Sequence, residues 1–265
     1  MRFKASRLAT GESEATFFPV IRPSHVLLFT ALLACAGPAG RAAVLVHEYA
    51  LRGTLDDNQA GPALTSMGGQ ITALGYVFAA NQGLTLSSTA FSATSFSIEL
   101  SFRFDTISGY RKIADFHDRA DDTGFYVLNG ALNFYPVVTA PTADIAAGTD
   151  VHVVLTRDGA TNTVVGYLNG QQAFTFADTN PLATLTSTNQ KLTLFADDFA
   201  TGQGEASGGV ANFVRIYQGA LTASEVSALH MGGAPIAVPE PSTLTLLAGG
   251  AGIMLLRGKL RRRKK

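Results

Sequence analysis

The stretch from Phe96 to Asp105 constrains this chain more than any other, because it alternates without a break. Phe96, Ile98, Leu100, Phe102 and Phe104 fall on one side, and Ser97, Glu99, Ser101, Arg103 and Asp105 on the other. A period of two gives a β-strand one buried and one wetter face, and it is incompatible with the repeat of a helix. On this reading Glu99 and Arg103 form a solvated surface pair. Two hairpins follow from their turns. Phe125 to Leu128 meets Ala131 to Tyr135 across Asn129-Gly130, and Thr163 to Leu168 meets Gln171 to Phe176 across Asn169-Gly170. Asn-Gly accepts the positive φ angles that two-residue hairpin loops demand. Further strands are expected at Val151 to Arg157, Leu192 to Ala196 and Phe213 to Tyr217. Many short strands separated by turn residues predict an all-β, antiparallel two-sheet sandwich.

One helix is expected after the last strand. Thr222-Ala223-Ser224-Glu225 has capping-box spacing, and Val226 and Leu229 supply an apolar edge. Gly232-Gly233-Ala234-Pro235 then breaks the chain. Beyond it come Pro239-Glu240-Pro241, an apolar run from Leu244 to Leu256, and a tail carrying Arg257, Lys259, Arg261, Arg262 and Arg263. The opposite end has Arg2, Lys4, Arg7 and Arg22 ahead of the apolar run Val26 to Ala36, with small residues up to Ala43. A basic leader, a short apolar core and a small-residue exit are the parts of a secretory signal peptide. Cleavage near Ala42 or Ala43 would remove Cys35, the only cysteine, and leave a body that owes nothing to disulfides.

The formal net charge of zero hides a segregation of charge. Between Val44 and Ala234 there are 8 Lys and Arg against 17 Asp and Glu, so the body is acidic and both ends are basic. An acidic body repels phosphate backbones, so no nucleic-acid partner is expected. A basic tail after an apolar run reads as a cytoplasmic membrane stop. The run itself is short for a span, at roughly 20 Å of helix. The order of proline-bracketed acid, apolar run and basic tail resembles the PEP-CTERM sorting signal of exported bacterial proteins. That resemblance implies an exosortase-type membrane protease as partner, with Pro239, Glu240 and Pro241 as the recognised signal. It also implies a membrane-held stage before release to the cell surface or extracellular matrix. The implied layout is a signal peptide at 1–43, a sandwich at 44–231, a linker at 232–238 and a sorting segment with an apolar helix at 239–265.

The sandwich resembles the LamG-like, concanavalin A-like jelly-roll domains. His47 to Asp57 is similar to the family's opening strand and turn, and Phe96 to Phe102 to its central strand. Val151 to Asp158, followed by Tyr167-Leu168-Asn169-Gly170, is similar to its "hHvavtrd…yvNG" hairpin. Val214 to Tyr217, Ala220 to Thr222 and Glu225-Val226 are similar to its closing segment. The resemblance implies a jelly roll that serves as a non-catalytic module for extracellular polysaccharide or a surface protein. A carbohydrate-active enzyme of the same fold and a purely structural matrix component are the alternatives. Asn212 and Asp150 stand where the family often has an acid and a Trp, and the chain has no Trp at all. Tyr110, Tyr135, Phe195 and Phe199 are the rings left to pack on a sugar face.

Two acidic runs are candidate calcium loops, because carboxylate oxygens suit that hard cation. One contains Asp118, Asp121 and Asp122; the other contains Asp197, Asp198 and Glu205, with glycines around it. LamG-type domains hold calcium on loops at a sandwich edge, and that favours the second set. A solvated Asp-rich turn is the competing reading for the first. No catalytic residue is expected. Glu99 and Asp105 are too far apart for the glucanase E-x-D-x-x-E pattern, and His152 reads as a hydrogen-bonded sheet histidine.

Overall fold

The computed structural model describes residues 43–87, 91–185 and 191–233. The signal segment before Ala43, and the Pro-Glu-Pro sequence, apolar run and basic tail from residue 239 onward, lie outside the described residues. Among the described residues, no helix is long and apolar enough to cross a membrane.

Among the described residues, fifteen strands precede one helix. They are β1 (Val44–Tyr49), β2 (Thr65–Ser66), β3 (Gln70–Ile71), β4 (Tyr76–Phe78), β5 (Leu84–Ser87), β6 (Phe96–Phe104), β7 (Tyr110–Asp115) and β8 (Gly124–Leu128). There follow β9 (Ala131–Tyr135), β10 (Val138–Thr139), β11 (Val151–Asp158), β12 (Thr163–Leu168), β13 (Gln171–Ala177), β14 (Lys191–Leu194), β15 (Gly209–Gln218) and α1 (Ala223–His230). They make two antiparallel sheets. The eight-stranded sheet runs β13-β12-β11-β6-β15-β4-β3, with β1 also paired to β15; the seven-stranded sheet runs β10-β9-β8-β7-β14-β5-β2. The jelly-roll expectation is met.

The alternation of β6 explains the centre of the molecule. Phe96, Ile98, Leu100, Phe102 and Phe104 are all buried between the sheets. There Phe102 and Phe104 meet Phe195, which stacks on Phe78 at 4.8 Å. Both Asn-Gly turns adopt the doubly positive φ that a type I′ loop requires: Asn129 49° and Gly130 89°, Asn169 49° and Gly170 80°. They fix the register at Leu128↔Ala131 and Leu168↔Gln171.

The opposite face of β6 departs from the sequence reading. Glu99 is only 1% exposed, and Arg103 pairs with Asp150 at 3.1 Å instead of with Glu99. The cause is α1. Thr222 caps it with a full capping box, and Val226 and Leu229 pack with Val154, Tyr167, Tyr217 and Leu221 on the outside of the eight-stranded sheet. A helix laid over one sheet face buries residues that strand periodicity alone assigns to water. His152, expected as a bonded sheet histidine, bonds to Glu99 at 2.9 Å.

Candidate functional site

The seven-stranded sheet presents its own outward face. In β8 and β9 the core takes Phe125, Val127, Leu132 and Phe134, so Tyr126, Asn133 and Tyr135 turn away from it. Register sets Lys112 of β7 beside Tyr126, and Tyr126 beside Asn133. Tyr110, Tyr126 and Tyr135 then form a cluster of nearly perpendicular rings. Tyr110 lies 5.5 Å from Tyr126 and 5.6 Å from Tyr135. Two loops cover part of this face: 116–123, between β7 and β8, and 195–208, between β14 and β15. The second is tied down by Lys112 N donating to Glu205 O at 2.8 Å and by Arg111 Nη1 donating to Gly204 O at 3.1 Å.

Both acidic runs lie on these loops, but the structure re-sorts them. Asp122 of the first run joins Asp198 and Glu205 of the second, one carboxylate oxygen from each lying within 4.8 Å of the other two. Asp197 instead accepts the backbone N–H groups of Asp198 and Glu205, at 2.9 and 2.8 Å. Asp121 faces His117 Nδ1 at 2.7 Å and accepts from Thr123 N at 3.0 Å. Asp118 stands at a left-handed turn position, φ 56°. The two sets expected from sequence are therefore not assembled as such; one member of the first set completes two of the second.

Sequence reasoning missed the cation at the centre. Lys112 is fully buried, and its Nζ lies 2.8 Å from Asp198 Oδ2, 3.5 Å from Asp115 Oδ2 and 3.9 Å from Asp197 Oδ1. The same ammonium sits 4.6 Å from the centre of the Tyr126 ring. Asp198 Oδ1 accepts from Ala200 N, Thr201 N and Thr201 Oγ1 at 2.8, 2.9 and 3.1 Å. Burial works to raise the Asp198 carboxyl, but the Lys112 bond and charge, with Thr201, outweigh it and bring it down to about 2. Glu205 goes the other way: burial and the charges of Asp122 and Asp197 push it up to about 7. Burial also raises Asp115 and Asp197, against the pull of Lys112.

Five carboxyl groups thus face one ammonium and the Arg119 guanidinium, whose Nε donates to the Asp197 carbonyl. The local excess is negative. A hard divalent ion fits the donor chemistry of Asp122, Asp198 and Glu205. Asp198 Oδ2 would then be shared with Lys112. Of the rings considered for sugar stacking, Tyr110 and Tyr135 are brought together here. Phe199 is 64% exposed, with Arg119 4.0 Å above its ring, and Phe195 is lost to the core.

The fold and this face define a class, the lectin-like jelly-roll sandwich with aromatic and acidic groups on an outer sheet surface. Residues 78–227, more than half of the chain, match the profile of the concanavalin A-like lectin/glucanases superfamily, and the chain belongs to that family. Residues 237–264 match the PEP-CTERM protein-sorting motif. That motif implies an exported protein, membrane-associated while an exosortase-type membrane protein processes it. Among solved structures the chain is similar to domain 4 of an extracellular arabinanase from Geobacillus stearothermophilus, at 17% identity and TM-score 0.51, covering 71% of this chain and 99% of that one. It is similar also to the sialidase of Trypanosoma rangeli, at 16% identity and TM-score 0.55, where it covers 71% of this chain and only 33% of the sialidase. Comparison with curated protein sequences gives no match.

Proposed function

We propose that this is an exported protein of the cell surface or extracellular matrix whose sandwich is a non-catalytic binding module for polysaccharide. The observation that carries this reading is the pair of half-buried rings, Tyr110 and Tyr135, packed about the buried Tyr126 on the outward side of the seven-stranded sheet, beside Asp122 and Glu205. Tyrosine rings offer apolar faces to the C–H side of a pyranose and hydroxyls to its rim. Calcium, held by Asp122, Asp198 and Glu205, offsets the negative excess and fixes the two loops over the face. The similar arabinanase domain was solved in complex with arabinotriose. Pro239, Glu240 and Pro241 act as the recognised sorting signal, and Arg257, Lys259, Arg261, Arg262 and Arg263 hold the tail on the cytoplasmic side until processing.

One observation favours a second reading, glycoside hydrolysis. Burial and neighbouring charges push Glu205 up to about 7 beside Asp122, and a carboxyl raised toward neutrality next to a second carboxyl is what acid-assisted glycoside cleavage uses. Asp198 is a poor partner for such chemistry, because both its oxygens are already bonded. A panel of polysaccharides offered to the full-length chain, in calcium and in chelator, separates these readings. Retention without released reducing ends, lost in Tyr110→Ala and Tyr135→Ala, is the expected result. Release of sugar that disappears in Glu205→Gln would replace the binding module with an enzyme.

A further inference from the structure

The eight-stranded sheet carries a separate concavity on its outward face. A cleft of about 470 Å³ lies where β6, β11 and β15 pass the end of α1, lined by Glu99, Ser101, His152, Phe213, Arg215 and His230. Its size falls in the range of about 300–1,000 Å³ typical of small-molecule sites.

The chemistry starts from Glu99 at its floor. Its Oε1 accepts from His152 Nε2 at 2.9 Å and from Arg215 Nη1 at 3.4 Å, and its Oε2 accepts from Tyr217 Oη at 2.5 Å. Because Nε2 carries the hydrogen given to Glu99, Nδ1 of a neutral imidazole is left as a bare acceptor. That Nδ1 is buried and has no hydrogen-bond partner. A buried polar atom left without a partner is rare in a folded protein and asks for one.

The ring beside it comes from the helix, not from the sheet. The His230 ring stacks on His152 at 5.4 Å and 28°. His230 is exposed, ends α1, and is followed within two residues by Gly232 at φ 84°. Its side chain lies over the Asn169-Gly170 turn and is not part of the sheet itself. Ser101 lies directly across the sheet from His152. The Ser101 Oγ accepts from Asn212 Nδ2 at 3.1 Å, which leaves its O–H free to donate. Arg215 commits Nε to Glu48 at 2.8 Å and Nη1 to Glu99, so Nη2 remains to donate. The Phe213 ring, 6.3 Å from His152, carries the Arg215 guanidinium 4.7 Å from its centre on one side and leaves its other side as an apolar face. An acceptor, two donors and a ring face match adjacent hydroxyls on a sugar ring, since each hydroxyl both gives and takes a hydrogen bond. Glu99 in the cleft and Glu48 behind it share one guanidinium, Arg215, and this negative excess disfavours phosphates and carboxylates.

We propose that this cleft binds a neutral sugar residue, one of whose hydroxyls donates to His152 Nδ1 when the His230 ring swings aside. The site is independent of the tyrosine face, and its test keeps the two apart.

The full-length chain, held in a detergent without a sugar headgroup, is titrated with D-glucose, D-galactose, D-mannose and D-glucuronate. Heat of binding is read together with the ¹⁵N resonance of His152 in histidine-labelled protein. At least one neutral sugar should bind saturably and shift the His152 Nδ1 signal, and glucuronate should bind more weakly. His152→Phe should lower the affinity by about tenfold or more, the loss of roughly one good hydrogen bond to a buried partner. His230→Ala should tighten binding, since it removes the ring that must move, and Tyr110→Ala should leave it unchanged. Should His152→Phe fail to fold, Ser101→Ala carries the test, with a several-fold loss expected. The proposal is overturned if no neutral sugar moves the His152 resonance, if glucuronate binds as well as the neutral sugars, or if His230→Ala weakens binding.

Discussion

Replacing Lys112 by Met removes the buried ammonium while keeping a flexible apolar stem of similar length. The side chains of Lys112, Asp115, Asp197 and Asp198 are all fully buried, and the three carboxyls lie 3.5, 3.9 and 2.8 Å from Nζ. Breaking a buried pair by removing one partner costs about 3–5 kcal/mol, because it strands an uncompensated charge. Asp198 retains three donors on Oδ1, which places the expected loss near the lower end, about 3 kcal/mol. For a body of this size that is a fall in melting temperature of roughly 6–12 °C. The pH dependence gives the sharper check. The folded-state carboxyl of Asp198 is depressed, to about 2 from an ordinary 3.8. Its contribution is therefore present above pH 3.8 and lost as the pH falls through 2. Most of that contribution comes from Lys112, so the gap between wild type and variant should be full at pH 7 and shrink on acidification. Urea unfolding followed by tyrosine fluorescence suits a chain that has seven Tyr and no Trp. Midpoints that coincide at pH 7, or a gap that stays constant down to pH 3, would refute the ion-cluster account.

Glu205→Gln should stabilise the body by about 1 kcal/mol at pH 8, after discounting for its partial exposure, and by nothing below pH 4.5. The sign follows from a folded carboxyl raised from 4.5 to about 7, which makes the wild type lose stability as the pH climbs through that interval. Thermal midpoints across pH 4 to 8 check it, and adding calcium to the wild type should have the same stabilising sign at pH 8. Thr222→Ala should cost about 1 kcal/mol through the lost capping box and speed amide hydrogen exchange along α1 without touching the seven-stranded sheet. Deleting residues 261–265 should disturb membrane orientation or C-terminal processing, seen by cell fractionation, and leave the urea midpoint of the sandwich unchanged.

Strands were legible where one face alone decides the pattern. The uninterrupted alternation of β6, and the two Asn-Gly turns whose φ demands no other residue pair meets as well, placed three strands of the eight-stranded sheet and one full hairpin of the other. Short edge strands such as β2, β3 and β10 carry two residues each and no periodicity to read. At Glu99 the strand pattern alone does not decide burial. Its position on β6 was read correctly, but its exposure depended on a helix more than a hundred residues downstream in sequence, which strand periodicity cannot report.

The candidate site was half legible, for a related reason. Acid-rich loops are visible in any sequence, yet which acids converge is decided by how two loops cross over one sheet. Asp121 is claimed by His117 and Thr123 within its own loop, and Asp197 by the backbone of its own, so both are consumed locally. Asp122 gives one oxygen to the Tyr126 hydroxyl at 3.1 Å, and it is left with Glu205 to face it across the loops. Lys112 gives the one retrospective signal. It stands between Arg111 and Ile113 on a strand whose next row is Tyr126, at a point where an exposed lysine would be ordinary. Only the pairing of β7 with β14 brings the Asp197-Asp198 turn over it. A long-range strand pairing therefore determines whether this lysine is surface decoration or the counter-charge of the cluster, and no local pattern in the sequence distinguishes the two.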